Sequence, residues 1–224
     1  PQVRVGGPFN RASRIRGYER FMADLIARPD FAGELMDRIT DLQAGMGVCM
    51  LRDPELEPKI VQIHDEIAST ERPMVSPRLY NALIQPRLKR MVDRLKKEGG
   101  AQHVGMQADG NVRPLVDFYV EAGITTLRSI EPRAGMDPVE LKKTYGKRLA
   151  LIGAIDNNII LPSGDKRRIR DHVLYTLQAA QGGGMIIGPE SISQDISVDS
   201  YRYYLQLLDV YGVYPLDLRP ERTL

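Results

Sequence analysis

A chain of 224 residues, 42% of them hydrophobic, is long enough for one substantial core and shows no shift in composition that calls for two domains. Its 31 basic and 29 acidic residues leave a net charge of +2, which argues against a nucleic-acid surface and against an anionic-membrane binder. A single cysteine, Cys49, excludes an internal disulfide and a CxxC metal site; no apolar run approaches the roughly 20 residues that span a bilayer, the opening PQVRVGG is not a signal peptide, and the expected setting is reducing and cytoplasmic.

Val3-Arg4-Val5 reads as a short strand closed by Gly6-Gly7-Pro8, with Arg11, Arg14 and Arg16 on a following loop. Helical spacing covers about Tyr18 to Ala27 and breaks at Arg28-Pro29. A second helix, with Asp30 as its expected cap, runs from Phe31 to about Arg52. Its Leu35, Ile39, Leu42 and Met46 share one face, Gly45 and Gly47 weaken its later course, and Cys49 reads as a core thiol. Asp53 to Pro58 is a connection, leading to the strand Ile60-Val61-Gln62-Ile63 with His64-Asp65-Glu66 at its C-terminal tip. Ser76 and Pro77 supply an N-cap and a first helical residue; that helix runs to about Glu98 and stops at Gly99-Gly100. Its Arg87, Lys89, Arg90, Arg94, Lys96 and Lys97 form an expected solvated face.

The stretch His103 to Asn111 shows the repeating grammar most plainly. An apolar run ends in a polar, glycine-bearing corner, Gln107-Ala108-Asp109-Gly110-Asn111, and a helix pattern follows from Val112 to Ala122. Ile124 to Leu127 is the next strand, with Glu131 beyond its tip. Asp137-Pro138 starts a helix to about Tyr145, Leu149 to Ile152 is a strand ending in Gly153-Ala154-Ile155-Asp156, and Lys166 to Ala180 is helical. Met185-Ile186-Ile187 is the last strand, with Gly188-Pro189-Glu190-Ser191 at its tip, and Val198 to Tyr211 is the last helix. Tyr201, Tyr203, Tyr204 and Tyr211 on that helix read as packing or as part of a homodimer interface.

These segments make six strand–helix repeats whose strands are short, apolar and non-alternating, as parallel strands covered on both faces are. The pattern, without a GxGxxG, favours an α/β chain built as a (β/α) barrel or a doubly wound sheet; polar tips that all follow strands favour the (β/α)8 TIM-type barrel, with about six of eight units visible in one domain over residues 1–224. A first residue that is not Met, and a length below the roughly 250 residues of such barrels, lead to the expectation that the first strands are missing.

Barrel enzymes place their chemistry after strands. The strand tips here carry His64, Asp65, Glu66, Gln107, Asp109, Glu131, Asp156 and Glu190. Carboxylates gathered in a partly dry cleft shift one another's pKa, so one can serve as general acid and another as base. Glu190 is the leading catalytic candidate, because it follows a buried strand; Asp109, Glu66 and His64 are the others. Gln107, Glu131, Arg14 and Asp156 are the substrate-binding candidates. Each has a bland alternative. Asp109 can cap the next helix, Asp156 can form a turn with Asn157, and Glu131 can pair with Arg133 or Arg128. Asp65 and Glu66 are adjacent, so one of them faces away. His103 lies at the wrong end of its strand, and His172 is expected on the outside of a helix.

The segments GPFNRASRIRGYERFMADLIARPDF, HDEIAST, MVSPRLYNALIQPRLKR, ADGNVRPLVDFYVEAGITTLRSIEPRAGMDPVELKKTYGKRLALIGAID and GGGMIIGPESISQDISVDSY together resemble the uroporphyrinogen decarboxylase family, which also contains corrinoid-linked methyltransferases. The resemblance covers nearly the whole chain in order. It implies a (β/α)8 barrel with its site at the strand C-termini and an absent first pair of strands. The decarboxylases' tyrosine after the third strand falls near Arg14, their serine after the fourth near Glu66 and their histidine after the eighth at Glu190. Where the thiol-directed methyltransferases hold zinc with His-x-Cys, this chain has Gln107-Ala108-Asp109, and Glu190 lies near their later ligand. A zinc site here would rest on the carboxylates of Asp109 and Glu190.

The resemblance leads to three functional expectations, in this order. The first is methyl transfer from a small methylated substrate to a corrinoid carried by a partner protein. The second is decarboxylation of uroporphyrinogen or a related polycarboxylate, with no cofactor. The third is a barrel that binds a ligand without turning it over.

Overall fold

The computed structural model describes residues 2–55 and 60–219. The connection expected over Asp53 to Pro58 lies partly outside the described residues. The chain divides into two compact units, Pro1–Arg128 and Ser129–Leu224.

The first unit runs β1 (Gln2–Gly6), α1 (Pro8–Arg16), α2 (Tyr18–Ala27), α3 (Pro29–Leu51), β2 (Ile60–His64), α4 (Pro77–Leu79), a π-helical turn (Tyr80–Ile84), α5 (Gln85–Lys97), β3 (His103–Gln107), a 3-10 turn (Arg113–Leu115) and α6 (Val116–Ala122), and it includes the start of β4 (Thr126–Ile130). β1, β2 and β3 pair in parallel, and Thr126 to Arg128 extend that ladder beyond β3.

Where a loop was expected after β1 there is a helix, α1. Pro8 is its first residue, a position where proline's missing N–H costs nothing and its fixed φ suits the helix. Gly17, at φ +86°, separates α1 from α2. The two helices bury Phe9 against Phe21, edge to face with centroids 5.7 Å apart, and Arg16 pairs with Asp24 at 2.7 Å. Arg16 is therefore an anchoring group rather than part of a solvated loop.

α3 starts at Pro29, and Asp30 lies in its first turn without capping it. Of the stripe Leu35, Ile39, Leu42 and Met46, only Ile39 is buried. Leu42 and Met46 are 61% and 48% exposed, while Ala32, Gly33, Met36, Ile39, Ala44, Gly47 and Val48 face inward. Small residues let α3 approach β1 and α5: a Cβ on Gly47 would fall 2.5 Å from Leu95 and 3.2 Å from Val5. This packing outweighs the poor helix propensity of Gly45 and Gly47. It also turns Cys49 outward, so the thiol is exposed and not in the core.

Ser76 caps α4 by accepting the Leu79 N–H. The helix then widens to a π turn just before Pro86, which lacks the N–H of a regular turn and whose ring crowds the preceding one. On α5 three of the six expected cations, Lys89, Arg90 and Lys97, are exposed. Arg87 is not: its side chain is 15% exposed and donates to Gly33 O and Asp37 Oδ2, tying α5 to α3.

The second unit holds the end of β4, a 3-10 turn (Pro132–Ala134), α7 (Pro138–Tyr145), a 3-10 turn (Gly146–Arg148), β5 (Ala150–Ile155), α8 (Lys166–Gln178), β6 (Met185–Pro189) and α9 (Val198–Tyr211). β5 and β6 pair in parallel from Leu151↔Met185 to Ile155↔Pro189. Asp137 caps α7 as its sequence predicts, accepting from Val139 N and Glu140 N. Ile155, Leu161, Ile169, Val173, Leu177, Tyr204, Leu207 and Tyr211 belong to the core of this unit, and Tyr201 and Tyr203 pack against it partly buried, so all four tyrosines of α9 are packing residues. No described helix is long and apolar enough to cross a membrane.

Candidate functional site

In a parallel ladder the residues at one register level share a face, and alternate residues take opposite faces. Val5 packs towards α3, as its closeness to Gly47 shows, so Arg4 points the other way. Register carries that second face across the sheet. Arg4, Gln62, Gly105 and Thr126 form one level, and Gly6, His64, Gln107 and Arg128 form the next, nearer the strand tips. The face turned from the helices is thus polar, in strands whose composition reads as apolar throughout.

At the upper level Arg4 Nη2 donates to Gln107 Oε1 at 2.6 Å. His64 Nε2 lies 2.6 Å from Glu66 Oε1, and the Asp109 N–H donates to Glu66 Oε2 at 2.9 Å. The imidazole and carboxylate are 34% and 25% exposed, open enough to meet a ligand. His64 and Glu66 share a face because they are two residues apart on an extended chain. Asp109 reaches Glu66 through its backbone because the corner after β3 folds back at Gly110, whose φ is +81°. A Cβ there would overlap the Ser69 carbonyl oxygen, and the next amide, Asn111 N–H, donates to that same carbonyl at 2.8 Å. Asp109 does not cap the following turn; Asn111 Oδ1 accepts the Arg113 N–H instead.

Asp65 takes the opposite face, and it is not bland. Its side chain is buried and accepts the Asn10 N–H at 2.6 Å and the Phe9 N–H at 3.4 Å, at the N-terminus of α1. Burial pushes its carboxyl from 3.8 up to about 7, against the two amide hydrogen bonds that lower it. Arg14 lies exposed in the last turn of α1.

In the second unit Glu131, Asp156 and Glu190 line one cleft together with Arg133 and Asn157. Glu190 Oε1 accepts the Ser129 N–H at 3.1 Å. Ser129 and Ala154 both hold left-handed backbone, at φ +69° and +72°, which side-chain-bearing residues rarely adopt and which commonly marks functional corners. Asp156 Oδ1 accepts Asn158 N–H and Ile159 N–H, closing a turn, and Glu131 pairs with Arg133 at 3.4 Å. His172 is half-buried rather than outside: its Nε2 accepts the Asp156 N–H at 3.1 Å, and burial holds the imidazole below its usual range.

Asp109 belongs to the first unit and Glu190 to the second. Among the described residues no group of three or more His, Cys, Asp or Glu side chains is arranged to hold a metal ion. The residues missed by sequence reading are Arg4, Gln62 and Thr126 on the inner strand face. Their signal was the alternation Val3-Arg4-Val5 and Val61-Gln62-Ile63-His64, hidden by strands of five residues.

A family model described as uroporphyrinogen decarboxylase (URO-D) matches residues 3–205. No curated protein matches significantly. A solved methyltransferase from Methanosarcina mazei is similar, with a TM-score of 0.74 at 19% identity; the match covers 95% of this chain and 59% of that one. The chain therefore spans about three fifths of the length of that relative. At this identity the likeness shows the fold, a partial TIM-type barrel.

Proposed function

Because the chain belongs to the uroporphyrinogen decarboxylase family, we propose that it is an enzyme that moves a methyl group from a small methylated substrate to a corrinoid held by a partner protein, with His64 and Glu66 managing the proton. The observation that carries the reading is the His64–Glu66 pair, fixed from its other side by the Asp109 N–H. When the methyl–heteroatom bond breaks, its electron pair stays on the heteroatom. An alkoxide or amide leaves poorly unless it is protonated as it departs. His64 gives that proton, Glu66 orients the ring, and Gln107, locked by Arg4, contacts the substrate. The corrinoid supplies the nucleophile. No three ligating side chains are grouped among the described residues, and no step is routed through a metal.

The test is methyl transfer to cob(I)alamin by the full-length protein, with methoxy, methylamine and methylthiol substrates. His64→Gln should slow the methoxy substrates by about 100-fold or more and the methylthiol substrates far less, because a thiolate leaves without a proton. Absence of transfer from every substrate, or equal losses for oxygen and sulfur leaving groups, would overturn the reading.

A second reading, decarboxylation of a tetrapyrrole polycarboxylate, draws on one observation: Arg4 and Arg128 share a strand face with His64, and cations there suit substrate carboxylates. Coproporphyrinogen formation by the full-length protein would decide for it.

A further inference from the structure

The inner level formed by Arg4, Gln62, Gly105 and Thr126 is a poor place for polar side chains unless something arrives to meet them. Gln62 is 1% exposed, yet its Nε2 has no hydrogen-bond partner among the described residues, and neither has the buried Thr126 Oγ1. A buried donor left without a partner costs free energy. Both groups converge on Gly105: a Cβ there would overlap Thr126 Oγ1 and fall 2.5 Å from Gln62 Oε1, so the missing side chain is what lets them meet. Arg4 brings a guanidinium to the same level, and its bond to Gln107 Oε1 leaves the Gln107 amide N–H groups, like the remaining Arg4 N–H groups, as donors. One level nearer the tips, Arg11 lies over Gly6, where a Cβ would overlap its Nε. The level is rich in donors and cationic, which is the chemistry that receives a planar oxyanion.

We propose that Arg4, Gln62 and Thr126 form a carboxylate-binding floor beneath His64, so that the substrate carries a carboxylate as well as its reacting group. This rests on the methyl-transfer reading for the reacting end alone. His64 is two residues beyond Gln62 on β2, and two residues of a parallel strand span about 6.6 Å. A substrate that fits both therefore holds its methylated heteroatom roughly 7 Å from its carboxylate. A para-disposed methoxy benzoate has that length; methoxyacetate is too short.

The experiment is calorimetric binding of 4-methoxybenzoate, 4-methoxybenzamide and methoxyacetate to the full chain and to two variants, Arg4→Met and Gln62→Leu. The wild type should bind the benzoate at least about tenfold more tightly than the neutral amide or the short acid. Arg4→Met should remove that preference by weakening the benzoate at least about tenfold more than the amide, and Gln62→Leu should weaken the benzoate several-fold. Arg4 is exposed, so its variant tests the idea even if the buried Gln62 change prevents folding. Equal affinity for benzoate and benzamide, no binding of either, or a benzoate affinity untouched by Arg4→Met would overturn the floor. Benzoate binding with no methyl transfer to cob(I)alamin would instead sink the reaction and leave the floor standing.

Discussion

Replacing Asp65 with Asn should abolish a loss of stability that the wild-type chain suffers as pH rises. In the folded chain burial raises the Asp65 carboxyl from 3.8 to about 7. The folded state therefore holds a proton that the unfolded state has already lost. Stability from this group is fully present below about pH 4 and is lost as pH rises through about 7. A rise of about three pH units at about 1.4 kcal/mol each makes the loss roughly 4 kcal/mol. The amide of the Asp65→Asn variant would keep an acceptor for the Asn10 N–H at 2.6 Å and give up the weaker contact at 3.4 Å from Phe9, a cost of about 1 kcal/mol that does not depend on pH. Urea unfolding of both proteins, followed by circular dichroism at a series of pH values, isolates the group, because every other titrating residue cancels in the difference. The variant should be less stable than wild type near about pH 4 and more stable by roughly 3 kcal/mol near about pH 8. A stability difference that stays constant across that range would refute the argument.

Three further outcomes follow from other contacts. Asp137→Ala removes the cap of α7 and the acceptor of the Tyr175 hydroxyl at 2.7 Å, and should lower stability by about 1–2 kcal/mol in urea melts; Tyr175→Phe should cost less. Arg87→Ala unties α5 from Gly33 and Asp37 and should cost about 2–3 kcal/mol by the same measurement, with Lys a poor substitute because it cannot bridge both acceptors. Cys49 should react fully with a thiol reagent in native buffer, without denaturant; modification that needs unfolding would mean that α3 is turned the other way.

What the sequence made legible was periodicity and punctuation. Ser76-Pro77 and Asp137-Pro138 begin helices as read, because cap chemistry is local. Two kinds of information were not local. α1 was missed because Gly6-Gly7-Pro8 reads equally well as a turn and as a helix start, and the buried Asp65 that receives its first amides is distant in the chain. The inward face of α3 was misread because small residues won it over Leu42 and Met46 by allowing close approach, which hydrophobicity alone does not score. At the candidate site, His64 and Glu66 were visible as a strand tip, but the polar level beneath them was not. A five-residue strand offers too few alternations to separate one polar face from an interrupted apolar run.

The adjacency of Asp65 and Glu66 has a mechanical side. One peptide unit joins a side chain that grips the first turn of α1 to a side chain that aims His64. The two grips leave the strand on opposite faces, so the dipeptide acts as a short lever between them. A substitution in the packing of α1 against α2 bears on Asp65 through the Asn10 and Phe9 amides, one residue from the carboxylate that meets His64. Substitutions around Phe9 and Phe21 belong among the changes that should alter turnover as well as stability.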